Sequence, residues 1–174
     1  MAPFAPSHPE ESKGRSLPKI SAMEKAMRLL SMRALSETEL RQRLRGNGYP
    51  LRETEDAVAE CRRRKYLDDE LLAADCAALC RERGLGTRAV LFRLRRRGIS
   101  APTAEEVLAG EAPDAELEAA RRAAGAKLAS LERESDPRKR RDKLLRFMAS
   151  RGFRASTARR IMEELGTRAE DDIL

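Results

Sequence analysis

The chain has 174 residues, 36 of them basic and 29 acidic, for a net charge of +7 and a pI near 9.8. That balance favours a polyanionic partner or an acidic protein surface. One histidine, His8, and three cysteines provide no catalytic histidine set, no four-ligand zinc site and no P-loop to hold a nucleotide. No apolar run approaches the ~20 residues needed to span a bilayer.

Aromatic residues make up only 3% of the chain and tryptophan is absent. The core must therefore come from Leu, Ala, Val and Met, which suits thin helical layers better than a compact globule. Residues 1–19 hold four of the eight prolines and no apolar centre, so a disordered tail is expected. A first helix is predicted from Ser21 to Met32, with Met23, Ala26, Met27 and Leu30 on one face. Ser36 and Glu39 form a capping box for a second helix, which Gly46-Asn47-Gly48 ends. A third runs from Leu51 to Lys65. Asp68 and Asp69 precede Leu71-Leu72-Ala73 and read as a cap with favourable helix-dipole charge rather than as a metal or acid pair.

The next helix continues to about Arg83, and Gly84-Leu85-Gly86-Thr87 supplies a turn and a cap. Helices follow from Thr87 to Arg97, from Pro102-Thr103 to Gly110, and from Asp114 to Leu131. Asp136-Pro137 starts another that reaches Arg151, and Ser156 caps a last one to about Leu165. The acidic end, Glu170-Asp171-Asp172, is expected to fray.

One frame recurs three times. Leu40–Leu44–Gly48–Tyr49 becomes Val90–Leu94–Gly98–Ile99 and then Leu144–Met148–Gly152–Phe153. Ten residues past each glycine stands another apolar residue: Val58, Leu108 and Met162. A period this long implies stacked supersecondary units, each burying its face on the next. The expected fold class is all-α, an elongated array of three tandem three-helix repeats over 20–67, 68–110 and 111–166, with 167–174 a frayed end. Cys61, Cys76 and Cys80 are expected to be free thiols in a reducing cytoplasm.

Charge comes in blocks. Arg81 to Ile99 carries seven arginines against Glu82, Arg138 to Arg160 carries ten basic residues against Asp142, and Ser100 to Ala120 carries six acids alone. Arg93, Arg95, Arg96 and Arg97 form one candidate contact cluster; Arg138, Lys139, Arg140 and Arg141 form another. Phe92 breaks the phase of its helix, pointing roughly 150° from the Val90–Leu91–Leu94 stripe. Two readings stand for it: an aromatic anchor or base platform among arginines, or packing against an adjacent repeat.

The stretches LLSMRALSETELRQRLRGNGY and YLDDELLA, a basic helix ending RRRGI, and a final RGF together resemble the RecX family of recombination regulators, over residues 23–166. Leu71-Leu72 depart from it, standing where members often carry an aromatic. The resemblance implies three tandem three-helix units and no enzymatic activity. It further implies binding to RecA filaments on single-stranded DNA, with limits on strand exchange, ATP hydrolysis and co-protease activity. A monomer without cofactor or membrane attachment is expected. A helical protein that meets DNA directly, without recombinase contact, is the competing reading.

Overall fold

A computed structural model describes residues 20–171, with side chains to Leu165. The expected tail over 1–19 lies outside the described residues. Among those residues the chain is wholly helical: α1 (Ala22–Met32), α2 (Glu37–Gly46), α3 (Leu51–Arg63), α4 (Asp69–Glu82), α5 (Thr87–Arg96), α6 (Ala101–Ala109), α7 (Ala115–Ala129), α8 (Pro137–Ser150) and α9 (Ala155–Asp171).

Three separate apolar clusters organise these helices. Leu40, Leu44, Tyr49, Val58 and Cys61 close over α1–α3. Leu72, Ala77, Cys80, Val90, Leu94 and Ile99 do so within α4–α6, and Leu117, Leu144, Met148, Phe153 and Ile161 within α7–α9. Every apolar position of the recurring frame is buried, and small alanines on α4 and α7 let the helices approach closely. Leu71 is exposed while Leu72 is buried, so the departure there costs the core nothing. The chain is thus an array of tandem three-helix units rather than one globule.

Local capping chemistry sets the helix starts. Ser21 and Ser36 each make a full capping box, with Glu24 and Glu39. Asp68 caps α4 by accepting the Leu71 amide at 2.9 Å. α5 starts at Thr87 as expected, and two other starts are corrected. Within the expected turn Gly86 is the N-cap of α5; Thr87 is buried and its hydroxyl accepts from the Arg81 guanidinium at 2.9 Å. Ser100 caps α6, which begins at Ala101 rather than at Pro102. Ser156 lies inside α9, and Glu116 meets the start of that helix: its carboxylate accepts the Arg154 N–H at 3.3 Å and the Thr157 hydroxyl at 3.0 Å. α9 also continues past Leu165, to Asp171.

The joints between units share one construction, and the frame glycines are its centre. The carbonyls of Arg97 and Gly98, at the C-terminal end of α5, accept the Ser36 and Thr38 hydroxyls at the N-terminal end of α2; the Thr38 bond is 2.9 Å. In the next joint the carbonyls of Arg151 and Gly152 accept the Gly86 and Arg88 amides at 2.9 and 3.0 Å. Each joint therefore sets the negative end of one helix dipole on the positive end of another and satisfies groups that a helix terminus leaves unpaired. A carboxylate from the first turn of the next unit's first helix, α4 or α7, completes each: Asp69 accepts the Glu37 amide at 3.0 Å, and Glu116 the Thr87 amide at 2.9 Å.

Only glycine fits at the centre of these joints. Gly98 has φ +74°, and a Cβ there would lie 2.5 Å from Thr38 Cβ; Gly152 has φ +77°, and its Cβ would lie 2.6 Å from the Ala89 amide.

α8 departs from this plan. Counting back from the frame glycine, α2 and α5 both begin 11 residues earlier (48 − 37 and 98 − 87), but α8 begins 15 earlier (152 − 137). The surplus turn, Pro137–Arg140, is capped by the chain's own Asp136, which accepts the Arg138 and Lys139 amides at 2.9 and 3.3 Å.

Candidate binding surface

α5 presents the densest positive charge. Its stripe Val90–Leu94 is buried, and helical geometry then turns Arg88, Phe92, Arg93, Arg95 and Arg96 outward. Phe92 is 52% exposed, so about half of its surface is open to a partner. The guanidiniums of Arg95 and Arg96 stand 5.8 and 5.9 Å from its ring centre. Each contact contributes about 0.5–1 kcal/mol at an exposed site, enough to hold the ring and the charges as one ridge.

Beside that ridge runs a groove of about 730 Å³ that draws on all three units. Glu39 comes from the first, Phe92, Arg93 and Arg96 from the second, and Ser150 from the third. Among the described residues no carboxylate lies within ion-pair distance of Arg93, Arg95 or Arg96. Their charge is available to a partner.

Arg97 differs from its neighbours. It is half-buried, donates to Glu39 at 2.9 Å and to the Ala34 carbonyl at 2.8 Å, and so ties the second unit to the first. Burial pushes the Glu39 carboxyl up, but the Arg97 guanidinium, the Ser36 amide and Arg33 outweigh it and hold the group below the usual carboxylate range. Glu39 is thus a fixed negative charge at one end of the groove.

The second predicted cluster lies elsewhere. α8 is about 20 Å long at 1.5 Å per residue, and its C-terminal end is the one docked on α5. Arg138, Lys139 and Arg141 are exposed on its opposite end. Lys139 stands 3.9 Å from Asp136, and Arg140 folds back to donate to the Glu134 carbonyl at 2.7 and 3.2 Å. The two clusters are two patches, not one.

Charge counting over sequence blocks overstated the available cations. Arg81 is buried and bonded to Glu111 at 2.6 Å, and Arg154 and Arg160 meet Glu116 and Asp114 at 3.7 and 3.8 Å. All these acids lie outside the basic blocks, in the acidic stretch between them. Sequence reasoning set Arg88 beside Phe92 but left it out of the contact cluster, although the i, i+4 spacing places it one turn before the ring on the same helix face. It missed Phe147 as well, whose ring is flanked by Lys127 at 5.7 Å and Arg151 at 5.1 Å. The three cysteines are free, and burial pushes the Cys61 and Cys80 thiols up, away from reactive thiolate.

Fold and surface together define a tandem helical-repeat protein with an exposed basic, aromatic-ridged face. Family comparison agrees in detail: residues 22–61 match the first three-helix domain of RecX and residues 114–162 match the third. A regulatory protein RecX of Chlorobaculum tepidum is 32% identical over 142 residues, 81% of this chain and 86% of that protein. One from Deinococcus radiodurans is 30% identical, covering 87% of this chain and 72% of that protein. The crystal structure of RecX from Lactobacillus salivarius superposes with a TM-score of 0.77 at 18% identity, over 84% of this chain and 95% of that one. The chain belongs to the RecX family.

Proposed function

We propose that this protein is a regulator of RecA filaments on single-stranded DNA and that it limits their strand exchange, ATP hydrolysis and co-protease activity without catalysis of its own. Its relatives carry the name of a regulatory protein, which supports the first part. The observation that carries the reading furthest is the three-unit groove, with Arg93 and Arg96 free of carboxylate partners among the described residues and Phe92 as its wall. A filament is a long polyanionic partner, and linked contacts along an array add through effective concentration. Phe92, Arg93, Arg95 and Arg96 make the principal contact, and Arg138, Lys139 and Arg141 make a second one further along. The units 20–67, 68–110 and 111–166 each contribute to binding, and the protein acts as a cytoplasmic monomer.

The half-exposed Phe92 ring is also a platform for a base, which favours direct binding of single-stranded DNA as the second reading. A titration of RecA ATPase inhibition at fixed DNA and at two DNA excesses separates them. The filament reading expects inhibition well below one copy per recombinase subunit and resistance to added DNA. Inhibition that requires coverage of the strand and disappears with excess DNA supports the second reading.

A further inference from the structure

Phe92 has a second side. It faces a hollow of about 420 Å³ between α5 and α6, with Leu91, Ile99, Ala101 and Ala104 as an apolar floor. Arg88 and Arg95 stand on its rim, with Glu105 beside them. Neither arginine has a carboxylate within ion-pair distance among the described residues. The hollow thus combines an apolar floor with a net positive rim, unlike the more polar groove on the other side of the ring.

That combination selects a ligand chemistry. A phosphate backbone has nothing to offer the floor, and a purely apolar ligand would strip water from two guanidiniums without pairing them. Arg88 and Arg95 are seven residues apart on one helix, a rise of about 10 Å, which matches carboxylates about three residues apart on an extended chain. We propose that the hollow between α5 and α6 binds an acidic peptide segment of a protein partner, one that carries a large apolar side chain between carboxylates. The apolar side chain enters beneath Phe92 onto Leu91 and Ile99, and the carboxylates meet Arg88 and Arg95. This goes beyond the filament reading and needs no nucleic acid.

The test uses the full chain and two short labelled synthetic peptides of equal charge, one with leucines set among glutamates and one of glutamate alone. The leucine-containing peptide should bind at least about ten-fold more tightly by fluorescence anisotropy. Ala101→Phe fills the hollow without removing a charge, and should weaken that peptide by about the same factor while leaving a single-stranded oligonucleotide bound as before. Arg88→Glu, at an exposed position, should weaken the peptide too and covers the case in which Ala101→Phe does not fold. Equal binding of the two peptides, or unchanged peptide binding in both variants, overturns the proposal. Parallel loss of oligonucleotide and peptide in Ala101→Phe assigns the hollow to nucleic acid and overturns it as well. Self-association of the full chain, competed by a peptide of residues 168–174, would name a second copy as the occupant and contradict it equally.

Discussion

Neighbouring arginines at the C-terminal end of α5 have opposite duties. Arg97 is spent on Glu39 and the Ala34 carbonyl, whereas Arg96, among the described residues, meets the Phe92 ring and no carboxylate. Arg97→Gln should therefore lower stability by about 1 kcal/mol, since the pair is partly solvated. Arg96→Gln should leave the melting temperature unchanged and weaken binding to the filament. Thermal melts and binding isotherms of the two single variants check this together. Nothing in the run of three arginines, 95–97, separated them, because the acid that claims Arg97 sits 58 positions away.

Glu116 makes the sharpest pH prediction. Burial pushes its carboxyl up, but the Thr87 amide, the Thr157 hydroxyl and the Arg154 amide outweigh it, and the group lies below the usual range. A carboxyl with a depressed folded value contributes stability that is present above its unfolded value and lost as pH falls through the folded one. Glu116→Gln should cost about 1–3 kcal/mol at neutral pH by leaving donors poorly met, and should flatten the acid limb of stability. Urea unfolding of both proteins across the acid range reads both effects. An acid limb equally steep in the variant would remove Glu116 from the account.

At the scale of the element, the glycine frame was legible in the sequence as a helix stop, but its larger role was not. Gly98 and Gly152 are where one unit enters another, and that depends on Thr38 and Ala89, residues of the preceding unit that periodicity does not single out. Gly98→Ala combines a left-handed backbone with a clash and should cost about 2–4 kcal/mol. Gly46→Ala is the control: nothing lies within 4 Å of its added Cβ, so the change should be neutral or stabilising by up to about 1 kcal/mol. Equal costs in a denaturation series would mean that the glycines act only through their own helices. The helix start misread at Ser156 has the same origin, since the Glu116 carboxylate, from α7, meets the Arg154 amide and the Thr157 hydroxyl there in place of a local cap.

For the molecule as a whole, three units and their cores followed from the recurring frame, while the distribution of charge did not follow from counting. Acids of the stretch between the basic blocks reach back to Arg81 and forward to Arg154 and Arg160, leaving α5 and the far end of α8 as the exposed basic patches. The surplus turn of α8 explains why the second patch is exposed: it extends that helix beyond the point at which α2 and α5 receive a neighbour.

The central claim is that the α5 face holds a nucleoprotein filament. The most direct measurement is the affinity of the wild-type protein and the Arg93→Gln/Arg96→Gln variant for preformed RecA filaments on single-stranded DNA, across a salt series. The account predicts unchanged thermal stability, weaker binding, and a salt slope reduced by about one to two units, as loss of two phosphate contacts requires. An affinity and a slope equal to those of the wild type would contradict it.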